Sequence, residues 1–294
     1  MGGAEPQIRL EFYLRLAILA DVHANLPALE AVLEDADHQQ ACSIIVAGDL
    51  TGGPHPLETI NCLRSIGATM IRGNSDESLL RFRYGRVPAA WNSDLQHALL
   101  RWTHRRLDKR TYDFLESLPL ERSFTVPGAS PIRVVHGCPR DPYEGLSPEE
   151  DPASLLSAMG RVEETVLICG HSHRPWKAEI DGRLALNPGA VCGPLNGVVG
   201  AQYALLSWHA DRWTVEHRSV TYDLGTLHDA FSISGLLEEG GALAKAFLIS
   251  LETGRDVALE FLDYARGVAT DTGAAHEDGI PDAVWERAAQ TFRW

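Results

Sequence analysis

"YLRLAILADVHANLPALEAVLEDA", residues 13–36, decides how the chain begins to fold. Its first nine residues, 13–21, are almost wholly apolar, the pattern of a strand buried on both faces. From Asn25 the spacing turns helical: Leu26, Leu29 and Leu33 share a face, Pro27 sits in the tolerant first turn, and Asn25 stands at the N-cap position. The pattern then repeats. "SIIVAGD" (43–49) reads as strand, "PLETINCLRSIG" (56–67) as a helix ending at Gly67, and "ATMIRGN" (68–74) as strand. Strand–helix–strand–helix–strand with short connections predicts a parallel sheet.

Residues 76–118 look mostly helical, and then the character changes. "RSFTV", "IRVVHG", "TVLICGH", "PWKAEI", "RLALN", "YALLSW" and "RWTVEHRSV" are short strands between turn signals such as "DGR" at 181–183, which predicts a second, largely antiparallel or mixed sheet. After about residue 222 the chain is helical and acidic, with a Gly/Thr/Asp-rich break at 267–281. The expected division is 1–222 as one domain and 223–294 as a helical C-terminal extension. Apolar pairs in the extension, Phe247 with Leu251 and Leu259 with Leu262, predict packing on the core or on a partner, a second copy of the chain being one option.

Composition narrows the function classes. The 294 residues are 45% hydrophobic and 22% charged, as in a globular protein. No window reaches the roughly 18 uninterrupted apolar residues that span a bilayer. The first residues carry Glu5, Arg9, Glu11 and Arg15 where a signal peptide would be apolar, and Pro6 disfavours myristoylation. Five scattered cysteines without a CxxC suit reduced thiols, so the expectation is a cytoplasmic protein with no membrane partner. A net charge of -14 disfavours binding to long nucleic acid. Residues 81–110 are locally basic, with eight Arg/Lys against two Asp, either a patch that steers a small anion or a solvated helix face.

Chemistry enters where the strands end. Asp21 and His23 follow the first predicted strand, Asp49 the second and Asn74 the third; His136 ends "IRVVH", and His171 and His173 end "TVLICGHSH". Singly, each has a plain alternative. Asp21 can cap a helix, Asn74 lies three before Glu77 as in a capping box, and His23 or His136 can be a hydrogen-bonded core histidine. Together they favour one crevice at the carboxyl ends of the strands. Carboxylate, imidazole and carboxamide without thiolate suit Mn, Fe, Zn, Ni or Co. Cys138 and Cys169 read as small buried packers.

In order, DxH (Asp21, His23), GD (Gly48, Asp49), GN (Gly73, Asn74), HG (His136, Gly137) and GHxH (Gly170, His171, His173) resemble the calcineurin-like metallophosphoesterase superfamily over about residues 14–220. "DVHANLPALEAVL", "HGCPRDP" and "NPGAV" (187–191) look most like its small bacterial phosphodiesterase branch. The resemblance implies an α/β fold: a β-sandwich of two mixed sheets flanked by helices, four layers in all. It also implies two divalent ions, one held by Asp21, His23, Asp49 and His173, the other by Asp49, Asn74, His136 and His171, with Asp49 shared. Alternation along an extended segment would point His171 and His173 the same way, and Gly170 would give room for the turn.

Such a site would hydrolyse a phosphodiester or nucleotide anhydride. Two cations about 3.5–4 Å apart share a water, bring hydroxide into being near neutrality and stabilise an in-line displacement. Asp49, Asn74 and His136 would act through the metals. Many family members carry His after the GN pair, contacting phosphate and protonating the leaving group; here Ser75 and Asp76 follow, read either as simple helix-start residues or with Asp76 as the acid. That absence favours good leaving groups over alkyl monoesters. "GDLTGGPHP" also departs from the GDxVDRG of the phosphoprotein phosphatases. Arg140 is a candidate phosphate contact or an exposed loop arginine, and His55 and Asn25 are further candidate substrate contacts. The expected partner is a small phosphorylated substrate. The alternatives are a binding scaffold of the same fold and a nuclease on single-stranded nucleic acid.

Overall fold

The computed structural model describes residues 14–274 and 279–294. Tyr13 and everything before it, and residues 275–278 of the expected 267–281 break, lie outside the described residues. β1 (Leu14–Leu19) alternates within its apolar run: Leu16 and Ile18 face one layer, Ala17 and Leu19 the other, all at most 4% exposed. α1 (Leu26–His38) begins where Asn25 accepts a hydrogen bond from Ala28 N at 3.2 Å. β2 (Ser43–Val46), α2 (Pro56–Ser65) and β3 (Thr69–Met70) complete the parallel run, β3 being only two residues long.

The first sheet does not stop there. β9 (Ala201–His209) pairs antiparallel with β1, and β10 (Arg212–Val220) pairs with β9, so the order is β10-β9-β1-β2-β3. The sequence reading put these two strands in the second sheet, but β9 is apolar on both faces and nothing local names its neighbour. The second sheet has the order β4-β5-β6-β8-β7, from β4 (Glu121–Phe124), β5 (Ile132–Val135), β6 (Val166–Ile168), β7 (Trp176–Ile180) and β8 (Arg183–Asn187). Its centre, β5-β6-β8, is parallel and its edges are antiparallel. The expected turn joins β7 to β8, with Asp181 and Gly182 both at positive φ as a tight hairpin requires.

Both sheets are therefore mixed, and they pack face to face. Leu16, Ile18, Ile45 and Ile71 meet Ile132, Val134, Val166, Ile168 and Leu186 between them. Outside the first sheet lie α1 and α2; outside the second lies α6 (Pro152–Met159), a helix the strand-rich reading of that region passed over. The resulting four-layer α/β/β/α arrangement is the one the sequence resemblance implied. Between β3 and β4 come α3 (Asn74–Arg83), two short 3₁₀ turns (Ala89–Asn92 and Leu95–His97), α4 (Ala98–Arg106) and α5 (Lys109–Ser117).

After β10 run α7 (Leu224–Ile233), α8 (Leu236–Thr253), α9 (Val257–Asp271) and α10 (Asp282–Thr291), so helix persists into the expected break as far as Asp271. α8 changes direction at Gly241, where φ is 63°. Leu236, Ala244, Leu248 and Leu251 of α8 bury themselves against Trp102 of α4 and against Ala190 and Cys192. The basic segment 81–110 is partly taken up by this contact. Glu239 of α8 accepts from Arg105 at 2.5 Å and from Arg106 at 3.5 Å, while Arg101 donates to the Trp91 and Asp94 carbonyls at 2.9 and 2.7 Å. Among the described residues no helix is long and apolar enough to cross a membrane.

Candidate metal centre

Five strand ends converge at one side of the sandwich. The loop after β1 brings Asp21 and His23, the loop after β2 Asp49, and β3 leads to Asn74 at the first turn of α3. His136 follows β5 directly, and His171 and His173 follow β6. Five of these seven residues hold left-handed backbone: Asp21 (φ 52°), His23 (42°), Asp49 (55°), His171 (70°) and His173 (56°). That conformation costs an L-residue roughly 1–2 kcal/mol and persists where the surroundings impose it, typically at functional sites. His171 and His173 thus converge through tight turns, whereas the sequence reading invoked alternation along an extended segment.

Close backbone approach makes the crowding possible. A Cβ on Gly48 would fall 2.7 Å from His136 Nδ1, and one on Gly170 would fall 2.8 Å from the Ala20 side chain. Gly170 is required for that approach, and its φ is not positive.

The polar atoms form two groups. In one, His23 Nε2 lies 3.2 Å from His173 Nε2 and 3.4 Å from Asp49 Oδ2, and His173 Nε2 lies 3.6 Å from Asp21 Oδ1. In the other, Asn74 Oδ1 lies 2.8 Å from both His136 Nε2 and His171 Nδ1, and His136 Nε2 lies 3.4 Å from Asp49 Oδ2. The far ring nitrogens are spent on carbonyls: His23 Nδ1 donates to Thr51 O (3.0 Å), His136 Nδ1 to Ala47 O (2.7 Å) and His173 Nδ1 to Gly193 O (3.4 Å). A carbonyl only accepts, so each Nδ1 carries a proton, and a neutral ring turns its Nε2 lone pair inward. The Nε2 atoms of His23 and His173 face each other in this way at 3.2 Å, and lone pairs at that distance repel unless something positive lies between them. The residues therefore fit divalent cations, and the donor set is the borderline one expected from the sequence.

Protonation tendencies carry the same message. Burial pushes the Asp21 carboxyl up, with Asp49 adding repulsion against the attraction of His136. For Asp49, burial is outweighed by His136 and His23, and the carboxyl is held below its usual range. Burial disfavours charge on His136 too, but Asp49 overcomes it and raises the imidazole to about 10. Two carboxylates in a dry site need a positive charge nearby, and His136 supplies it when no cation does.

Cys192 also approaches, its Sγ 3.7 Å from His173 Nδ1, and one ligand atom from each of His23, His173 and Cys192 lies within 4.8 Å of the others. The thiol, however, lies on the Nδ1 side of the ring, away from Nε2, and burial raises its pKa well above the ordinary value. We take Cys192 as a neutral packing residue, like the buried Cys138 and Cys169.

Four sequence candidates stand elsewhere. Asp76 is fully buried and accepts from Gly73 N, Leu50 N and Thr51 N, each at 3.1 Å, and from Thr51 Oγ1 at 2.8 Å. It ties two loops together, and burial, with Asp49 adding repulsion, raises its carboxyl pKa while every partner it has is internal. The helix cap falls on Gly73, with Asp76 bonding back to it, so Asn74 and Glu77 do not form the capping box that their spacing suggested. Asn25 spends its amide on Cys192 O and Tyr222 Oη, both at 2.9 Å, and its oxygen on Ala28 N. Arg140 is exposed, donates through Nε to Glu144 at 3.0 Å, and lines a separate cavity with Ser154 and Arg161. His55 lines a third cavity, with Ile233 and Ser234.

Other residues do work that the sequence did not announce. Ser75 clamps Asp49, donating from N to Oδ1 and from Oγ to Oδ2, both at 2.8 Å. Asn187 of "NPGAV" donates to Gly170 O (2.6 Å) and Ser172 Oγ (3.1 Å), fixing the loop that carries His171 and His173. The quoted "NPGAV" was the available signal for Asn187; Ser75 had none beyond its place after Asn74. Beside the centre opens a cavity of about 470 Å³ that His23, Asn74, Ser75 and His173 help to line. Its wall also includes Leu243, Phe247 and Leu262 of α8 and α9, and the Phe247 ring meets that of His23 edge-on at 5.7 Å.

Comparison with known proteins agrees with this geometry. The family model for the calcineurin-like phosphoesterase superfamily domain matches residues 14–211. An uncharacterized protein of Methanocaldococcus jannaschii is 26% identical over 227 residues, covering 71% of this chain and 88% of its own length. A crystal structure of a metallophosphoesterase from Sphaerobacter thermophilus is similar with a TM-score of 0.66 and 27% identity, over 82% of this chain and 99% of that one. A hypothetical protein from Pyrococcus horikoshii OT3 shares the fold with a TM-score of 0.70 at 23% identity, over 82% of this chain and 98% of that one.

Proposed function

The chain belongs to the calcineurin-like phosphoesterase superfamily, and from that premise we propose that it is a dimetal phosphohydrolase acting on a phosphodiester or nucleotide anhydride. The observation that carries the reading is the inward convergence of acceptor atoms in two groups that share Asp49. In this reading Asp21, His23, Asp49 and His173 hold one ion, and Asp49, Asn74, His136 and His171 the other. When bound, such a cation pair supplies Lewis-acid stabilisation of phosphoryl oxygens and lowers the pKa of water.

The chain's own groups do the rest. Ser75 locks both Asp49 oxygens in place, so the shared carboxylate does not have to be ordered when substrate arrives. The carbonyls of Ala47, Thr51 and Gly193 hold the imidazoles in one tautomer. Asn74 contributes a neutral oxygen and limits the negative charge of the set. With Ser75 committed to Asp49 and Asp76 buried, neither residue after Asn74 protonates a leaving group, which favours substrates whose leaving groups depart as stable anions. The pairing of Arg105 and Arg106 with Glu239 weighs against a nuclease reading of the basic segment.

The test is elemental analysis of the purified protein together with hydrolysis of bis(p-nitrophenyl) phosphate with and without Mn²⁺. The expected outcome is bound metal and metal-stimulated turnover. Protein that takes up no metal and stays inactive under both conditions would end this reading in favour of a binding scaffold.

A further inference from the structure

We propose that the cavity beside the centre seats the organic group of the substrate, and that this group is uncharged, apolar and of aryl-ring size. The substrate is then an organic phosphodiester rather than a nucleotide polyphosphate. The inference rests on the phosphoesterase reading and narrows it.

The lining decides the chemistry. Leu79, Leu99, Leu100, Leu243, Phe247 and Leu262 face the cavity, and among the described lining residues there is no Lys or Arg. A polyphosphate brings further anionic groups beyond the one attacked, and such groups are normally met by guanidinium or ammonium donors. The nearby arginines are occupied elsewhere, Arg101 on two carbonyls and Arg105 and Arg106 on Glu239. Asp256, which also lines the cavity, would repel extra phosphates.

Size and shape narrow it further. About 470 Å³ falls in the range of small-molecule sites and has room for a ring next to a phosphate. Aromatic surfaces stand ready: Phe247 beside His23, and Trp91 stacked on His97 at 4.4 Å with an 18° interplanar angle, both of them in the lining.

The experiment keeps the leaving group constant. Methyl p-nitrophenyl and phenyl p-nitrophenyl phosphate are compared by kcat/KM in the metal-supplemented protein, with ADP as the anhydride. Calorimetric binding of phenylphosphonate and methylphosphonate supplies a readout independent of turnover. Burial of about 100 Å² of ring surface predicts roughly tenfold preference for phenyl in both readouts, even if half the gain is lost to ordering. Phe247→Ala should reduce both preferences to within about threefold. Leu262→Lys, on a different helix, should do the same by placing a charge in the wall, and it guards against misfolding of the first variant. Turnover with equal methyl and phenyl rates together with equal phosphonate affinities, or faster cleavage of ADP than of the phenyl ester, overturns the assignment while leaving the phosphoesterase reading intact. Absence of all turnover defeats that reading instead, and the phosphonate pair still decides whether the cavity prefers a ring.

Discussion

Gly73→Ala should disable the centre without being excluded by backbone geometry. Gly73 has φ -98° and ψ -175°, an extended conformation that alanine adopts freely. The added Cβ would nevertheless fall 2.0 Å from Asp49 Oδ1 and 2.4 Å from Asp49 N. Ordinary contact begins at 3.4 Å, so the carboxylate has to retreat by about 1.4 Å, the difference between those two distances. It cannot do so freely, because Ser75 holds both of its oxygens at 2.8 Å. A displacement near 1 Å at a reacting centre costs on the order of 100-fold in rate, and overpacking a filled site costs about 1–3 kcal/mol. The expected result is roughly a 100-fold fall in kcat/KM for bis(p-nitrophenyl) phosphate, with reduced metal content by elemental analysis and a lower urea midpoint. Gly67→Ala is the control. There φ is 68° and no atom lies within 4 Å, so it should lose about 1 kcal/mol of stability and keep its metal and activity. A folded Gly73→Ala protein with wild-type metal content and kcat/KM would refute the claim that this close approach positions Asp49.

Added Mn²⁺ at about 100 times its Kd should stabilise the folded protein by about 2.7 kcal/mol, seen as a rise in Tm. Asp49→Ala should abolish that rise, and an equal rise in the variant would show that the ion binds elsewhere. Asp76→Asn should cost about 2–4 kcal/mol in urea unfolding, because an amide N–H₂ would face backbone donors in a buried site; a loss below about 0.5 kcal/mol would count against the tethering role. Asp35 accepts from Arg218 Nε (2.7 Å), Arg218 Nη2 (3.0 Å) and Tyr203 Oη (2.7 Å), and the Arg218 bonds hold its carboxyl below the ordinary value. Since the folded pKa is the lower one, this stability is present above the unfolded pKa of about 3.9 and is lost as pH falls through the folded value. Asp35→Asn should therefore cost about 1 kcal/mol at neutral pH, with the gap closing as pH falls below the unfolded pKa of about 3.9; a gap that is constant with pH would exclude the ionic contribution.

The candidate ligands were legible because each is a polar side chain breaking an apolar run at a strand end, a placement a core rarely tolerates by chance. The partners of β9 were not. A strand buried on both faces carries no alternation to say which sheet it joins, and its pairing with β1 spans nearly 190 positions, from Leu16 to Leu206. The surroundings of Asp76 were not legible either, because the donors that bury it come from Leu50 and Thr51 in another loop. Ser75 looked like a lost histidine, while its clamp on Asp49 exists only once two strand ends meet. Leu243, Phe247 and Leu262 read as ordinary apolar faces of helices, and periodicity does not distinguish a face that lines a cavity from one that fills a core.

The cavity wall has one more implication. The family match ends at residue 211, whereas Leu243, Phe247 and Leu262 come later in the chain. One wall of the proposed ring site thus comes from beyond the matched region, while Leu79, Leu99 and Leu100 lie within it, so a relative with another tail would keep the centre and change that wall. Grafting a different tail onto this scaffold would be a direct way to retune what it accepts.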